Sequence, residues 1–248
     1  MPDLTPTQWM LAVLAALGMG VSKAGFAGVG LLHVLIFAFL FGARTSTGIV
    51  LPMLLVGDLG AVAAFRMHAR WDYMRRTLPP ACAGVILGAA FMSRLSDATF
   101  KPVLGWIILV LTLMQVARML RRDWFGDVPH SRLFAWGMGL LAGGTTMLAN
   151  SGGPIITLYL LSVGLPKLEF TGTNAWFFFI INAFKVPFSI GMGLIDRRTL
   201  FLNLVLSPVI VAGLIAGRWL IHRVPQRLFD GLLLAFAFLA ALRLIGTF

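Results

Sequence analysis

Ala149-Asn150-Ser151-Gly152-Gly153-Pro154, and its counterpart in the first half, Lys23-Ala24-Gly25-Phe26-Ala27-Gly28-Val29-Gly30, are the two stretches whose reading decides the fold. Each breaks an apolar run with glycine. Each is followed by an apolar segment too short for a bilayer: residues 28–42 make a helix of about 22 Å and 154–165 a shorter one, against a hydrocarbon core of about 30 Å. Neither crosses alone, so both are expected to be broken or half-length helices near the midplane.

The rest of the chain is written for lipid. Of 248 residues, 59% are hydrophobic, 12% are charged and 27 are glycine, and the mean hydropathy is +0.91. Soluble domains need about 25% charged residues to coat a surface, so a soluble globule is excluded. Apolar runs fall at 7–21, 28–42, 45–65, 77–93, 100–118, 132–148, 154–165, 171–192, 199–220 and 228–246. They do not alternate in polarity as barrel strands do, and open strands would leave backbone groups unpaired in hydrocarbon. The fold expected is an all-α polytopic membrane protein of about eight to ten helical segments.

The formal net charge of +11 comes from basic residues placed mainly between the runs. That is the pattern of loops retained on the cytoplasmic side, so no nucleic-acid partner is inferred. Cys82 is the sole cysteine, which excludes an intramolecular disulfide or a thiolate cluster. No cofactor and no metal are expected. The opening residues 1–8 have no basic run and no clear cleavage site, and are read without a removable signal.

Sliding the second half onto the first by 124 residues superposes Gly20 on Gly144, Gly28 on Gly152, Thr47-Gly48 on Thr171-Gly172 and Asp72 on Asp196. Pro79, Gly84 and Gly88 recur with the same internal spacing as Pro208, Gly213 and Gly217. The chain therefore reads as a duplication: a first repeat over 1–120, a polar cytoplasmic linker over 121–131 and a second repeat over 132–248. If the two leading segments of each half form a hairpin or cross twice, the repeats are inverted and the amino terminus is external. The cytoplasmic side then collects Lys23, Arg66, Arg70, Arg75, Arg76, Arg118, Arg121, Arg122, Arg132, Lys167, Arg218, Arg223 and Arg227.

Short or glycine-interrupted segments at matching places in two halves mark the binding site of a carrier. A helix restarting after such a break presents free N–H groups and a positive dipole end, which suit an anion. The expected cradle is Gly25, Gly28, Asn150, Ser151, Gly152 and Gly153. Thr47, Thr171, Thr173 and Asn174 are read as helix-opening caps that add donors. Ionisable residues inside lipid-spanning runs cost roughly 2.5–3.5 kcal/mol each and so face a cavity or a partner. Lys23 and Lys185 are candidate counter-charges. Asp58 superposes on Asn182, and Lys185 lies three residues on, on the same helix face. Either Asp58 and Lys185 form a structural ion pair, or they serve substrate and proton; Asp58 and His33 are the candidate proton-coupling groups. The Gly84 and Gly213 motifs are read as packing.

With Gly25-Phe26-Ala27-Gly28-Val29-Gly30, Thr45-Ser46-Thr47-Gly48, Arg70-Trp71-Asp72, Leu78-Pro79, Gly152-Gly153-Pro154, Thr171-Gly172-Thr173, Asn182 and Lys185 in this order, the chain resembles the sulfite exporter TauE/SafE family of membrane transporters over nearly its whole length. The resemblance implies a prokaryotic inner-membrane protein that moves sulfite or organosulfonates, often outward, through a duplicated helical bundle. Ala27, Val29 and His33-Val34 depart from the family's fuller glycine run and following proline. The reading is a secondary exporter of small anions working by alternating access, embedded in lipid and not an enzyme, with homo-oligomerisation left open. No GxxxxGK[ST] phosphate loop is present, so this chain hydrolyses no ATP. Two alternatives stand beside it: an intramembrane serine hydrolase with Ser151 as nucleophile and His33 as base, and an assembly subunit without transport.

Overall fold

The computed structural model describes residues 4–23, 29–120, 131–220 and 226–246. Among them the chain forms no strand and ten α-helices: α1 Pro6–Lys23, α2 Val29–Phe41, α3 Ala43–Phe65, α4 Trp71–Ser93, α5 Asp97–Leu120, α6 Arg132–Ala149, α7 Gly153–Ser162, α8 Lys167–Gly191, α9 Arg197–Leu220 and α10 Gln226–Ile245. A single 3-10 turn, Arg66–His68, follows α3. The segments 43–68, 97–120 and 197–219 are long and apolar enough to cross a membrane unaided. The two half-length helices appear where the glycine breaks place them, with 13 residues in α2 and 10 in α7. The interhelical linker lies outside the described residues except for Ser131, whose hydroxyl accepts the Phe134 N–H at 3.1 Å and caps α6.

The bundle is turned inside out relative to a soluble protein. Leu14, Leu87, Val110, Leu141, Leu204 and Ile215 are exposed on its flanks, while Asp58, Asn182 and Lys185 are each about 1% exposed within it. Lipid wets the first set, and the polar set must find partners inside.

Helix pairing carries the duplication into space. α2 and α7 start 124 residues apart, as do α3 and α8. Three contacts have an exchanged twin: α1 packs on α9 as α6 packs on α4, α2 on α10 as α7 on α5, and α3 on α9 as α8 on α4. The glycines superposed in the sequence sit at these twinned contacts. Gly20 meets the α9 backbone at Ile210 and Gly213, while Gly84 meets α6 at Leu140 and Gly144. Likewise Gly48 abuts Leu194 in the turn after α8, and Gly172 abuts Phe65 and His68 in the turn after α3. A Cβ at Gly172 would lie 2.7 Å from the Phe65 carbonyl, so these positions take no side chain.

The exchange means that the packing units are not the sequence halves. α1, α2, α3 and α9 share one apolar cluster through Ala16, Phe37, Met53 and Leu206. By the same pairing α4, α6, α7 and α8 form the twin unit. Each unit takes one helix from the other half of the chain, and the two meet where α3 lies against α8 and α6 and where Leu31, Val34, Leu35 and Ala38 of α2 join the apolar cluster of α4, α6, α7 and α8.

The expected hydroxyl caps are a correction. α3 opens at Gly42, with φ +87°, which lets the chain turn in the single residue between α2 and α3. α8 opens at Pro166. Neither uses a side-chain cap. Ser46 and Thr47 lie inside α3 and donate back to the Ala43 and Arg44 carbonyls at 2.9 and 2.7 Å. Thr171, Thr173 and Asn174 lie inside α8. Asp196, at the head of α9, is a true cap: its Oδ1 accepts the Thr199 N–H at 2.7 Å, which holds its carboxyl below the ordinary value.

Candidate functional site: an interhelical cavity at the glycine break

α6 ends because Asn150 takes a left-handed backbone, φ 50° and ψ 27°, and closes the last turn by donating its N–H to the Thr146 carbonyl at 3.0 Å. Asparagine tolerates that conformation better than other side-chained residues. α7 restarts three residues later, with Pro154 in its first turn, where a missing N–H loses nothing. The two break glycines play different roles. A Cβ on Gly152 would lie 2.6 Å from the Ala142 carbonyl, so Gly152 is packed against α6; a Cβ on Gly153 would meet nothing within 4 Å. Gly153 opens onto a cavity.

That cavity measures about 330 Å³ and lies between the two packing units. Lys23, the last residue of α1, and His33, just beyond the first break, share its wall with Asn150, Ser151, Gly153 and Pro154 of the second break. The flanks of both interruptions thus face one space. Gln115 and Arg118, one turn apart on α5, add polar groups, and Leu54, Leu161, Phe170 and Phe178 add apolar ones. No Asp or Glu is among the described residues that line it. No group of His, Cys, Asp or Glu suited to hold a metal occurs among the described residues.

Behind the wall runs a chain of buried polar groups. Asp58 Oδ1 is ion-paired with Lys23 Nζ. Asp58 Oδ2 accepts the Asn182 amide at 2.7 Å, and the Asn182 carbonyl oxygen accepts Lys185 at 3.3 Å. Lys185 also donates to Asn150 Oδ1 at 2.5 Å and Thr146 Oγ1 at 3.3 Å, and the Asn150 amide donates to the Thr47 carbonyl at 2.9 Å. Each Asn therefore offers oxygen to a lysine and nitrogen to an acceptor, the one orientation that satisfies both ends. Asp58 and Asn182 are the superposed positions, 124 residues apart, so their hydrogen bond joins twins across the seam between units.

Several expectations are corrected here. Asp58 and Lys185 form no direct ion pair; Lys23 is the partner of Asp58, and Lys185 reaches it only through Asn182. Arg118, read as a loop charge, instead lines the cavity, together with Lys23, the candidate counter-charge. Lys185 stands behind the wall rather than in it, bonded to wall residues Asn150, Asn182 and Thr146. Thr47 serves as the carbonyl anchor of Asn150. Thr173 accepts the Arg70 N–H at 2.9 Å, tying α8 to the turn after α3, and Thr171 stands two residues earlier on the same helix. Asn174 does line the cavity, with a buried Oδ1 that has no hydrogen-bond partner among the described residues. Ser151 lines it too, but its hydroxyl donates to the Ala149 carbonyl at 2.9 Å rather than to a base. Gly25 and Gly28 lie outside the described residues.

Thr146, Gln115, Arg118 and Phe178 belong to the site and escape the sequence reading. The only signals are the i, i+3 spacing of Gln115 and Arg118 on an otherwise apolar helix and the Thr145-Thr146 pair one turn before the break.

Known proteins agree with this architecture. A family model described as "Sulfite exporter TauE/SafE" matches residues 11–244. A "Probable membrane transporter protein YtnM" of Bacillus subtilis (strain 168) is 30% identical over 174 residues, covering 66% of this chain and 57% of that protein. The chain thus spans less than two thirds of that relative's length. A helical bundle with lipid-facing apolar flanks, two half-length helices and a polar interior cavity, matched almost from end to end, belongs to the sulfite exporter TauE/SafE family of membrane transporters.

Proposed function

We propose that the protein is a secondary exporter of small anions, sulfite or organosulfonate-type sulfur compounds, in a prokaryotic inner membrane. One observation carries this reading: the first turn of α7, Lys23 and Arg118 converge on a cavity whose described lining holds no acidic side chain. Unpaired N–H groups at a helix start and fixed cations favour negative charge, and the site's aliphatic and aromatic portions can take an organic tail. The packing supports alternating access in which the α1, α2, α3, α9 unit rocks against its twin along the α3–α8 seam and the cavity opens to one side at a time. The inverted-repeat orientation with an external amino terminus belongs to the same proposal. A side-sensitive reporter on each terminus tests it.

The function is tested by reconstitution into liposomes with sulfite, thiosulfate, sulfoacetate and sulfate offered in turn. At least one sulfur anion is expected to cross faster than through empty vesicles. If none does, the reading fails.

Gly153→Val sharpens the test. The added methyls project into open cavity rather than into backbone. Folding stability is expected to change by no more than about 0.5 kcal/mol, while transport falls roughly tenfold to a hundredfold because the anion is held off the α7 amides. Gly152→Val, whose Cβ would lie 2.6 Å from the Ala142 carbonyl, should instead cost about 2 kcal/mol of stability. Unfolding in denaturing detergent, set beside flux, separates the two. Equal flux in Gly153→Val and wild type would remove the α7 terminus from the binding site.

A further inference from the structure

The buried polar chain holds one more cation than anion. Lys23 and Asp58 neutralise each other, and the second oxygen of Asp58 is taken by Asn182. Lys185, about 1% exposed, turns its Nζ to three neutral groups, Asn150 Oδ1, Asn182 Oδ1 and Thr146 Oγ1. These satisfy its N–H groups as donors but bring no charge. All three residues line the cavity, so Lys185 stands one side chain behind the place an anion would occupy.

The charged groups that face Lys185 are few. Asp58 on α3 and Lys23 on α1 act on it electrostatically. α6 and α7 present neutral Thr146, Asn150 and Ser151. Arg75 and Arg76 on α4, and Arg66 and His68 after α3, are exposed. His33 and Arg118 line the cavity.

Resting on the anion-carrier reading above, we propose that Lys185 is the proton-carrying group of the transport cycle, so that one proton crosses with each anion. With the cavity empty, Lys185 is the neutral amine, and Lys23 and Asp58 cancel. When an anion enters, a proton from the bulk solution, relayed by cavity water, bonds to the Nζ lone pair, and the new ammonium balances the anion. Release reverses both steps: the N–H bond breaks, its electron pair stays on nitrogen, and proton and anion leave together. For a monovalent anion the chain is neutral in both states. Arg118 keeps its charge throughout and drops out of the difference.

Neutrality matters because the chain crosses the seam that must close. Lys23 and Asp58 belong to one unit, and Asn182, Lys185 and Asn150 to the other. A lone charge in that seam opposes closure over an empty site. Asp58 serves less well as the proton carrier, because its carboxylate is already balanced by Lys23 within one unit.

Ethanesulfonate and thiosulfate are the probes, since both stay fully ionised near neutral pH and bring no proton of their own. In proteoliposomes containing a pH dye, an inward gradient of either is expected to acidify the lumen. Lys185→Arg, which stays cationic in every state, should keep exchange of labelled anion for anion but lose the acidification. Brisk exchange by wild type without acidification, or acidification by Lys185→Arg at the wild-type rate, overturns the proposal and leaves the anion carrier standing. If neither anion exchanges through wild type, the carrier reading falls and this inference with it. A second measurement needs no variant: purified wild-type protein in weakly buffered, mildly alkaline detergent should take up one proton per ethanesulfonate or thiosulfate bound. Saturable binding without proton uptake overturns the proposal equally.

Discussion

Asp58→Ala is expected to cost about 3 kcal/mol of stability and to abolish transport. The carboxylate is about 1% exposed and satisfies two groups, the Lys23 ammonium and the Asn182 amide. Removing it leaves a buried cation and a buried N–H donor without acceptors, a loss measured elsewhere at about 3–5 kcal/mol. The lower end applies because the Lys23 side chain keeps 17% of its surface and borders the cavity, where water screens part of its charge. Asp58→Asn should cost less, since it keeps one acceptor. The informative variant is the double replacement Lys23→Met with Asp58→Leu. A buried ion pair exchanged for apolar side chains of similar size is often neutral in stability, so the pair should recover most of the stability while transport stays lost, the cavity having lost a cation. Unfolding of all three variants in denaturing detergent gives the coupling energy directly. A coupling below about 0.5 kcal/mol would show that the two side chains do not depend on each other.

Much of this architecture is legible in the residues. The second glycine break, the short helices and the ten apolar runs follow from helix length and the need to satisfy backbone groups in lipid; α2, α3 and α7 begin within about two residues of where those arguments place them, and α8 begins four residues earlier. Helix-face arithmetic puts Lys185 beside Asn182, and they are bonded. What the sequence hides is long-range choice. Asp58 could meet either lysine, and which one reaches it depends on how α1 docks on α3, a contact 35 residues away in the chain. Arg118 reads as a loop charge because it abuts a polar stretch, yet it lines the cavity. The hydroxyls of Thr45-Ser46-Thr47 look like caps because a cap and a first-turn residue share composition. The true start, Gly42, is hidden between two apolar neighbours. The exchange of helices between units is likewise invisible, since duplication says which segments are equivalent and not which ones touch.

Gly84→Val and Gly213→Val are expected to destabilise the protein equally, by about 3 kcal/mol each, through overpacking. Without a hydrophobic drive between helices in lipid, association depends on close backbone approach at small residues. At both glycines the facing helix is already in contact: a Cβ would fall inside the shell of the Leu140 carbonyl in one case and the Leu17 carbonyl in the other. Neither neighbour can yield, because each is main chain held in a helix. The two costs should match because the contacts are twins, α4 on α6 and α9 on α1. Gly137→Ala on α6 is the internal control. Nothing lies within 4 Å of its added methyl, so it should be neutral or should stabilise by up to about 1 kcal/mol through helix propensity. The pattern bears on mechanism as well as packing. Both glycine contacts lie inside a packing unit rather than in the seam between units, so on the proposed rocking mechanism partial substitution to alanine should lower stability without changing which side of the membrane the cavity faces. Accessibility labelling of the cavity from each side, combined with unfolding in denaturing detergent, reads both effects. A large cost at Gly84 with none at Gly213 would mean that the two units are not packed alike. A change in sidedness at unchanged stability would mean that the hinge runs through these contacts and not along α3 and α8.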